Sequence, residues 1–464
     1  MLTTLLVLFV VGYLAIALEH PLRVDKTASA LLLGMLMWVI YALGAESVVP
    51  VVSADSFRHF LDTHPTLADK SLHEQALQYV LNVDIVEHLG DIMQTLLFLI
   101  GAMTIVEMVD VHGGFRVITD HINTRDKKKL LWIISFVTFF MSAILDNLTT
   151  TIVMLMLLRK LITQKEERWL YAGMIIIAAN SGGAWSPIGD ITTIMLWVSG
   201  NITAPALLSF VLVPSLVSMV LPLIIVSRQL KGDLPPRDVV VEKNSFITAG
   251  QRATMFYLGV GGLIFVPIFK SITHLPPFVG MLFVLGALWV FTEIFYNSKM
   301  LEQAKELRLP KVISRVDMPS ILFFLGILMA VAVLQSTGIL SDIAGWLDEE
   351  IHNVYWIGLV LGVLSAIVDN VPLVAGVMGM YPVADPAATG YAANFVIDGT
   401  FWELMSYCAG VGGSILIIGS AAGVIVMGLE KISFGWYLKK FSWVALLGYL
   451  AGAGVYALEK LLFA

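Results

Sequence analysis

The chain has 464 residues, of which 58% are hydrophobic and only 14% are charged, against about 25% charged in a typical soluble protein. Its mean hydropathy of +0.85 excludes a soluble enzyme and indicates a polytopic membrane protein. The net charge of −7 excludes a generally basic, nucleic-acid-binding surface, and the single cysteine, Cys408, excludes an intrachain disulfide.

Apolar stretches long enough to cross a bilayer recur along the chain. The first has no basic region before it and no cleavage pattern after it, so we interpret it as a span rather than a signal peptide. Ten crossings are predicted, at residues 1–18, 27–44, 91–111, 169–198, 203–227, 252–270, 278–296, 319–340, 401–429 and 436–462.

Two further apolar stretches, residues 131–158 and 354–381, are interrupted near the middle by Asp-Asn. Of the 28 Lys and Arg residues, 24 fall in loops that the spans place on one side, which is therefore cytoplasmic. Basic clusters flank the first stretch at both ends, which predicts a re-entrant hairpin from the cytoplasmic side. The second has none at either flank and is predicted to enter from outside. Both termini are then external.

An internal repeat relates the two halves of the chain. SAILDN at residues 142–147 recurs as SAIVDN at residues 365–370, and a glycine-interrupted span follows each copy. The paired glycines Gly182, Gly183, Gly412 and Gly413 are interpreted as backbone breaks. Five spans per half is an odd number, so the second half must be inverted relative to the first.

The fold class expected is an all-α polytopic membrane protein of two inverted-topology repeats, each with a re-entrant hairpin and a broken transmembrane helix. The first repeat covers residues 1–230 and the second covers residues 252–464, joined by a cytoplasmic linker at residues 231–251. Paired interrupted segments in an inverted repeat point to a transport site near the bilayer midplane.

The two hairpin tips and the two broken spans carry polar side chains in apolar sequence, and we expect these side chains to converge. The first half offers Ser142, Asp146, Asn147, Thr149, Thr150, Asn180, Ser181, Ser186, Asp190, Thr192 and Thr193, and the second offers Ser365, Asp369, Asn370, Ser414 and Ser420.

The carboxylates Asp146 and Asp369 are expensive in apolar sequence unless each is paired, hydrated or bound to a cation. We predict Na⁺ binding at these two residues, while capping of the hairpin's return helix is the structural alternative. Asp190 either ligates the ion or caps the second half-helix. Oxygen donors without His or Cys suit an alkali cation such as Na⁺ or Li⁺. Competition of that cation with H⁺ for the same acids would produce antiport.

Three residues outside these motifs are also candidates. Glu107, near the cytoplasmic end of the third span, is a candidate for a proton path, with a hydrated helix-end carboxylate as the alternative. His88 is a candidate pH sensor, since histidine titrates in the physiological range, although a solvated loop histidine is the simpler interpretation. Glu403 opens the ninth span and is expected only to favour that helix N-terminus.

Three motifs resemble those of a known family: LLFLIGAMTIVEMVDVHGGF at residues 96–115, SAILDNLTT at 142–150 and AANSGGAWSPIGDITTIMLW at 178–197. They resemble NhaD-type sodium/proton antiporters of the ion transporter superfamily. The resemblance implies exchange of Na⁺ or Li⁺ for H⁺ across a bacterial inner membrane, favoured at alkaline pH and often performed by a homodimer. The residues that this resemblance implies at the ion site are Asp146, Asn147, Asn180, Asp190, Thr192, Thr193, Asp369 and Asn370.

The second half departs from the first at two matching places. Ser420 stands where the first half has Asp190, and Pro372 stands where it has Thr149. Strictly symmetric ion sites are therefore not expected.

Other functions stay open at this stage. An arsenite or organic anion carrier of the same fold is the nearest alternative, although aspartates at the tips would repel an anion. A cation channel without proton coupling is a second. An intramembrane enzyme is disfavoured because the broken segments contain no nucleophile and base pair, and no cofactor is expected.

Overall fold

The computed structural model describes residues 1–17, 19–119, 122, 124–162, 164–234, 247–297, 307–367 and 370–463. Within these ranges the regular structure is helical, and no strand is formed there. The first helices along the chain are α1 (Leu2–Ala17), α2 (Glu19–Leu22), α3 (Lys26–Leu43), α4 (Val49–Val52), α5 (Ala54–Thr63), α6 (Leu72–Tyr79) and α7 (Ile85–Val111).

The remaining helices fall into a middle and a last group. The middle group is α8 (Arg116–Thr119), α9 (Lys127–Leu145), α10 (Asn147–Leu161), α11 (Lys165–Gly183), α12 (Ile191–Val198), α13 (Ala204–Ala206), α14 (Leu212–Ser227), α15 (Ala249–Thr273) and α16 (Pro277–Asn297). The last group is α17 (Leu309–Ile313), α18 (Met318–Ser336), α19 (Ile339–Ile351), α20 (Val354–Leu364), α21 (Asn370–Met380), α22 (Thr400–Gly412), α23 (Ala421–Glu430), α24 (Phe434–Tyr437) and α25 (Trp443–Phe463).

Helix length and composition confirm the polytopic helical class. Among the described residues, eight helices are long and apolar enough to cross a membrane: Lys26–Leu43, Leu72–Val111, Lys127–Leu145, Ala204–Ser227, Ala249–Thr273, Pro277–Ile294, Met318–Ser336 and Phe434–Leu462. Seven of these coincide with predicted spans, and Lys127–Leu145 is the first arm of the predicted cytoplasmic hairpin. The number of crossings, the re-entrant course of the hairpins and the repeat boundaries stay predictions.

Three of the predicted spans take a different form from the long helices. The first is the shorter apolar helix α1. The stretch at residues 169–198 is divided into α11 and α12, and the stretch at residues 401–429 into α22 and α23. Both interruptions were expected from the glycine pairs.

The chain forms two compact units. The first consists of residues 1–97, 317–353 and 374–382, and the second consists of residues 98–316, 354–373 and 383–464. Each unit takes segments from both halves of the sequence, so this division by compactness differs from the predicted division by repeat.

In the first unit, α3 packs closely against α18. A Cβ on Gly34 would lie 2.4 Å from the carbonyl oxygen of Gly326, and Trp38 Nε1 donates to the carbonyl oxygen of Met329 at 3.0 Å. Small residues let membrane helices approach until their backbones touch. A glycine pair and one indole hydrogen bond therefore fix how these two helices cross.

In the second unit, the two halves of the sequence make the same contacts. Ser142 Oγ donates to the carbonyl oxygen of Ala179 at 2.6 Å, and its counterpart Ser365 Oγ donates to that of Ala409 at 2.9 Å. A Cβ on Gly182 would lie 2.1 Å from the oxygen of Phe139, and a Cβ on Gly412 would lie 2.1 Å from that of Gly362. The duplication seen in the sequence thus extends to packing, while the inverted orientation stays a prediction.

The two broken helices are also tied down where they end. Glu430, the last residue of α23, is fully buried and receives Arg159 Nε at 2.7 Å and Arg168 Nε at 2.6 Å. Asp398, just before α22, accepts from the backbone N–H of Thr203 at 2.6 Å and from its hydroxyl at 2.8 Å. The second broken helix, formed by α22 and α23, is therefore bonded at both of its ends to segments from the first half of the sequence.

Two lysines that the predicted topology places outside the cytoplasm have partners in the second unit. Lys270 Nζ donates to the carbonyl oxygen of Trp197 at 2.6 Å, near the C-terminus of α12. Lys460 Nζ lies 2.6 Å from Glu403 Oε2. These two exceptions to the positive-inside pattern are thus explained by internal contacts.

We predict that Gly182→Ala destabilises the protein by about 1–3 kcal/mol, because the added methyl group would overlap the Phe139 backbone, which does not move away as a side chain would. The measurement is the unfolding midpoint of the detergent-solubilised variant. Gly428→Ala is the matched control, since nothing lies within 4 Å of its Cβ position. Equal midpoints for the two variants would contradict the close approach.

Candidate functional site

Asp190 is the centre of a buried polar cluster in the second unit. Its Oδ2 accepts a hydrogen bond from Asn147 Nδ2 at 3.0 Å and one from Asn370 Nδ2 at 3.3 Å. Asn147 and Asn370 are the first residues of α10 and α21, the helices that follow the two Asp-Asn interruptions. One carboxylate between α11 and α12 therefore meets both predicted hairpin tips.

Asn180 connects this carboxylate cluster to the second broken helix. Its Oδ1 accepts from Asn147 Nδ2 at 3.2 Å. Its Nδ2 donates to Ser414 Oγ at 3.0 Å and to Ser420 Oγ at 2.8 Å. Ser414 lies in the break between α22 and α23, so all four interruptions of the apolar sequence come together.

Helix N-termini at the cluster are capped by the chain's own polar side chains. Asp190 Oδ1 accepts from the backbone N–H of Thr192 at 3.3 Å at the start of α12, and the Thr193 hydroxyl completes a capping box. Ser420 Oγ accepts from the N–H of Gly423 at 3.2 Å at the start of α23. A carboxylate at a helix N-terminus offsets the positive end of the helix dipole, so α12 carries its own negative charge and α23 does not.

Asp146 caps the return helix of the first interruption. Its Oδ1 accepts from the backbone N–H of Thr149 at 2.8 Å, and its Oδ2 accepts from the Thr149 hydroxyl at 2.9 Å. Its φ of 81° is rare for a residue with a Cβ, and such strain collects at functional sites. Asp146 therefore caps the return helix in this conformation, which was the structural alternative to cation binding. A carboxylate that caps a helix is still able to bind a cation.

Two buried hydroxyls beside these carboxylates have no hydrogen-bond partner among the described residues. They are Thr150 Oγ1, in the first turn of α10, and Thr192 Oγ1, in the first turn of α12. A buried hydroxyl without a partner costs free energy, and its oxygen is a suitable ligand for an alkali cation. The cluster thus contains spare oxygen ligands next to its acids.

The remaining hydroxyls mostly donate to backbone carbonyls close to the breaks. Ser142 and Ser365 do so as described above, and Ser186 Oγ donates to the carbonyl oxygen of Ala143 at 2.5 Å. Ser181 turns instead to α14, where its Oγ lies 2.9 Å from Ser218 Oγ. Ser142, Ser181 and Ser365 are therefore structural in this conformation.

The expected glycine breaks also bring backbone close to the cluster. A Cβ on Gly183 would lie 2.5 Å from the carbonyl oxygen of Gly189, and a Cβ on Gly413 would lie 2.8 Å from that of Gly419. Each break folds back on itself, so that the second half-helix starts beside the end of the first. This return places Asp190 and Ser420 at their caps.

Of the candidates outside the motifs, Glu107 pairs with a cytoplasmic-loop arginine and His88 packs in the first unit. Glu107 Oε1 lies 3.9 Å from Arg315 Nη1, and both side chains are partly exposed. His88 Nε2 lies 2.9 Å from Ser336 Oγ, and its ring lies 6.3 Å from that of Trp38. His88 is therefore partly buried and hydrogen-bonded, which the interpretation as a solvated loop residue did not anticipate. The proton-path and pH-sensing roles stay predictions.

Asp369, the carboxylate of the second interruption, lies outside the described residues, so the Na⁺ site expected there stays a prediction. Its neighbour Asn370 is described and contacts Asp190 as above.

The sequence reasoning missed two residues that support the cluster. Tyr437 OH donates to the carbonyl oxygen of Ser414 at 2.8 Å, and Ser406 Oγ donates to that of Ala184 at 2.8 Å. A tyrosine and a serine within apolar spans carry no motif of their own. Only the fold brings them to the breaks.

Comparison with known proteins identifies the family. A sequence model described as the citrate transporter family matches residues 8–397. The chain belongs to this family. Its similarity to curated proteins covers nearly its whole length.

Among the curated proteins similar to this chain, sodium/proton antiporter 1 of Arabidopsis thaliana is 42% identical over 97% of this chain and 71% of its own length. Sodium/proton antiporter 2 of the same plant is 41% identical over 97% of both chains. The Na⁺/H⁺ antiporter NhaD of Alkalimonas amylolytica is 29% identical over 97% of this chain and 89% of its own length. The family is one of transporters, so the chain is not expected to be an enzyme.

We predict that Asn180→Ala destabilises the protein by about 1–3 kcal/mol, because it leaves Asn147, Ser414 and Ser420 with unmade buried hydrogen bonds. The measurement is again the unfolding midpoint in detergent. Asn82→Ala is the control, since Asn82 is exposed and, among the described residues, its side chain donates to Gln78 alone. A midpoint unchanged from wild type in Asn180→Ala would show that the cluster is not connected as described.

Proposed function

We propose that this protein exchanges Na⁺, and also Li⁺, for H⁺ across the membrane, and that the two kinds of ion compete for buried aspartates. The observation that carries the proposal is the Asp190 carboxylate, held by amides from both hairpin tips. The sodium/proton antiporters among its relatives support the same activity.

The side chains of the cluster are suited to binding either a cation or a proton. A carboxylate in a buried place is stabilised by a bound cation or by a proton, and is expensive when it has neither. An asparagine amide presents N–H donors on one side and a carbonyl oxygen on the other. In the described conformation Asn147 donates to Asp190. Rotation of its amide would instead offer an oxygen ligand to Na⁺.

Further oxygen ligands are available beside the two acids. The unpartnered hydroxyls of Thr150 and Thr192, together with Asp146 and Asp190, provide oxygen atoms only. Asp369 completes the proposed set of acids by analogy with Asp146. Because one ion must leave before the other binds, competition for these carboxylates links Na⁺ movement to H⁺ movement in the opposite direction.

Transport of citrate or another organic anion is the second candidate, because the family description names citrate. Converging helix N-termini are able to bind an anion. Here, however, Asp146 and Asp190 already place negative charge on the N-termini of α10 and α12. An incoming carboxylate would meet that charge, so the electrostatics of the cluster favour a cation.

The membrane and the assembly also belong to this proposal. Relatives occur in a plant as well as in bacteria. The family resemblance implies the bacterial inner membrane, and the positive-inside pattern predicts external termini. A homodimer follows from the family resemblance, and chemical cross-linking in native membranes tests it.

We expect Na⁺ or Li⁺ to collapse a pH gradient held by proteoliposomes that contain the wild-type protein, whereas K⁺, citrate and arsenite leave it in place. Asp190→Asn and Asp146→Asn should reduce this flux to the rate of empty liposomes, because an amide does not exchange a proton for a cation. A pH-sensitive dye inside the vesicles reports the flux.

The matched control is Asp126→Asn, which removes an exposed carboxylate that also caps a helix, at the start of α9. It should retain wild-type flux. Collapse of the gradient by citrate would favour the anion carrier. Movement of Na⁺ without any change in pH would indicate a channel. Normal exchange in Asp190→Asn would remove that residue from the mechanism.

A further inference from the structure

A buried ion pair lies outside the Asp190 cluster, between α22 and α25. Glu403 Oε2 lies 2.6 Å from Lys460 Nζ, with side chains that are 1% and 13% exposed. Tyr456 OH also donates to this oxygen at 2.7 Å. The sequence suggested only that Glu403 favours the N-terminus of its helix, but its side chain caps nothing and turns inward to α25.

The second oxygen of this carboxylate is not satisfied. Glu403 Oε1 is buried and has no hydrogen-bond partner among the described residues. An ionised carboxylate normally accepts bonds at both oxygens, and a buried acceptor without a donor is costly. A proton on Oε1 would neutralise the group and leave the contacts at Oε2 in place.

The helix does not need this charge in order to pack. The position that matches Glu403 in the first half is Gly173, 230 residues earlier on α11. The space beside Gly173 is filled by the ring of Phe441, which would lie 2.5 Å from an added Cβ. The same helical position is therefore packed by apolar contact in one half and by a buried acid in the other.

Glu403 is also connected to the Asp190 cluster along one helix. Ser406 and Gly410 follow it at i+3 and i+7, which places them on a similar side of α22. Ser406 bonds to Ala184 in the first break, and the Cβ position of Gly410 lies 3.7 Å from Asp190 Oδ2. Seven residues of helix span about 10 Å, so Glu403 lies two turns from the cluster, toward the predicted external side.

We propose that Glu403, held beside Lys460, is a second proton-binding site that supplies the Asp190 cluster with protons from the external side. The O–H bond forms at Oε1 with a proton from external water, and it breaks when the proton passes on toward the cluster. Lys460 remains an ammonium ion throughout. The role in exchange rests on the proposed Na⁺/H⁺ function, whereas the binding of a proton at Glu403 does not.

Other titratable groups around the pair contribute to its pH dependence. Tyr456 and Lys460 face Glu403 from α25, Tyr355 faces it from α20, and Asp398 lies in the segment before α22. Lys460 Nζ also lies 3.9 Å from the centroid of the Phe210 ring. Among the described residues around the pair, the cation Lys460 is set against the acids Glu403 and Asp398 and its chain neighbour Glu459, so uptake of one proton brings the group closer to neutrality.

Infrared difference spectra of the reconstituted full chain, recorded between acidic and alkaline pH, test proton binding directly. A protonated carboxyl has a C=O stretching band that shifts in D₂O. Asp146 and Asp190 also contribute bands of this kind under the proposed function, so we expect the wild type to show one further component that is absent in Glu403→Gln. Because that variant leaves Lys460 buried without a counter-charge, the charge-neutral double variant Glu403→Gln with Lys460→Met is measured as well. The control is Glu74→Gln, which removes the negative charge of an exposed ion pair between Glu74 and Lys70.

Flux measurements on the same liposomes test the role in exchange. We expect the double variant to fold, to show a lower H⁺ to Na⁺ ratio and to have an altered pH profile, while Glu74→Gln matches the wild type. Identical carboxyl bands in wild type and both variants would overturn the proton site. A folded double variant with the wild-type ratio and pH profile would overturn its role in exchange. A wild type that has the band but no Na⁺-driven flux would keep the proton site and refute the proposed function.

Discussion

The structure depends on one requirement, that backbone groups freed within a membrane be satisfied by the protein itself. Each break in an apolar span exposes carbonyls at one helix end and N–H groups at the next. Serine hydroxyls donate to carbonyls at the breaks, as Ser186 and Ser406 do, while the side chains of Asp146, Asp190 and Ser420 accept from the N–H groups. Asp190 and Ser420, which cap the helices that restart after the breaks, are also residues that meet at the cluster.

In the proposed function, this solution lets the cluster select its substrate by charge. Capping a helix with serine leaves the positive end of its dipole available to an anion, while capping it with aspartate neutralises that end and adds a site for a cation or proton. Two of the caps described here are aspartates. The family description names citrate, whereas two relatives from Arabidopsis thaliana are named sodium/proton antiporters. Under the proposed function, the aspartate caps of this chain favour a cation over an anion.

The duplication gives the two halves a common scaffold and leaves their chemistry free to differ. A Cβ added at Gly182 or at Gly412 would lie 2.1 Å from a backbone oxygen in either half, because a tight helix approach tolerates no other residue. Away from these contacts the halves diverge. Asp190 matches Ser420, and Glu403 matches Gly173. An acid on only one side of such a pair marks a place where the fold permits, but does not require, a charge.

The sequence by itself determined the membrane class, the positions of most long helices, the breaks at the glycine pairs and the four segments that supply the cluster. These follow from hydropathy, from the positive-inside pattern and from the SAILDN repeat, which are local or additive properties of the chain. The tertiary structure alone decided which atoms meet. The contact of Asn147 and Asn370 with one carboxylate, the turn of Ser181 toward Ser218, and the burial of Glu403 against Lys460 join residues far apart in sequence. A side chain's direction around its helix is set by the packing of distant helices, and no local pattern records that packing.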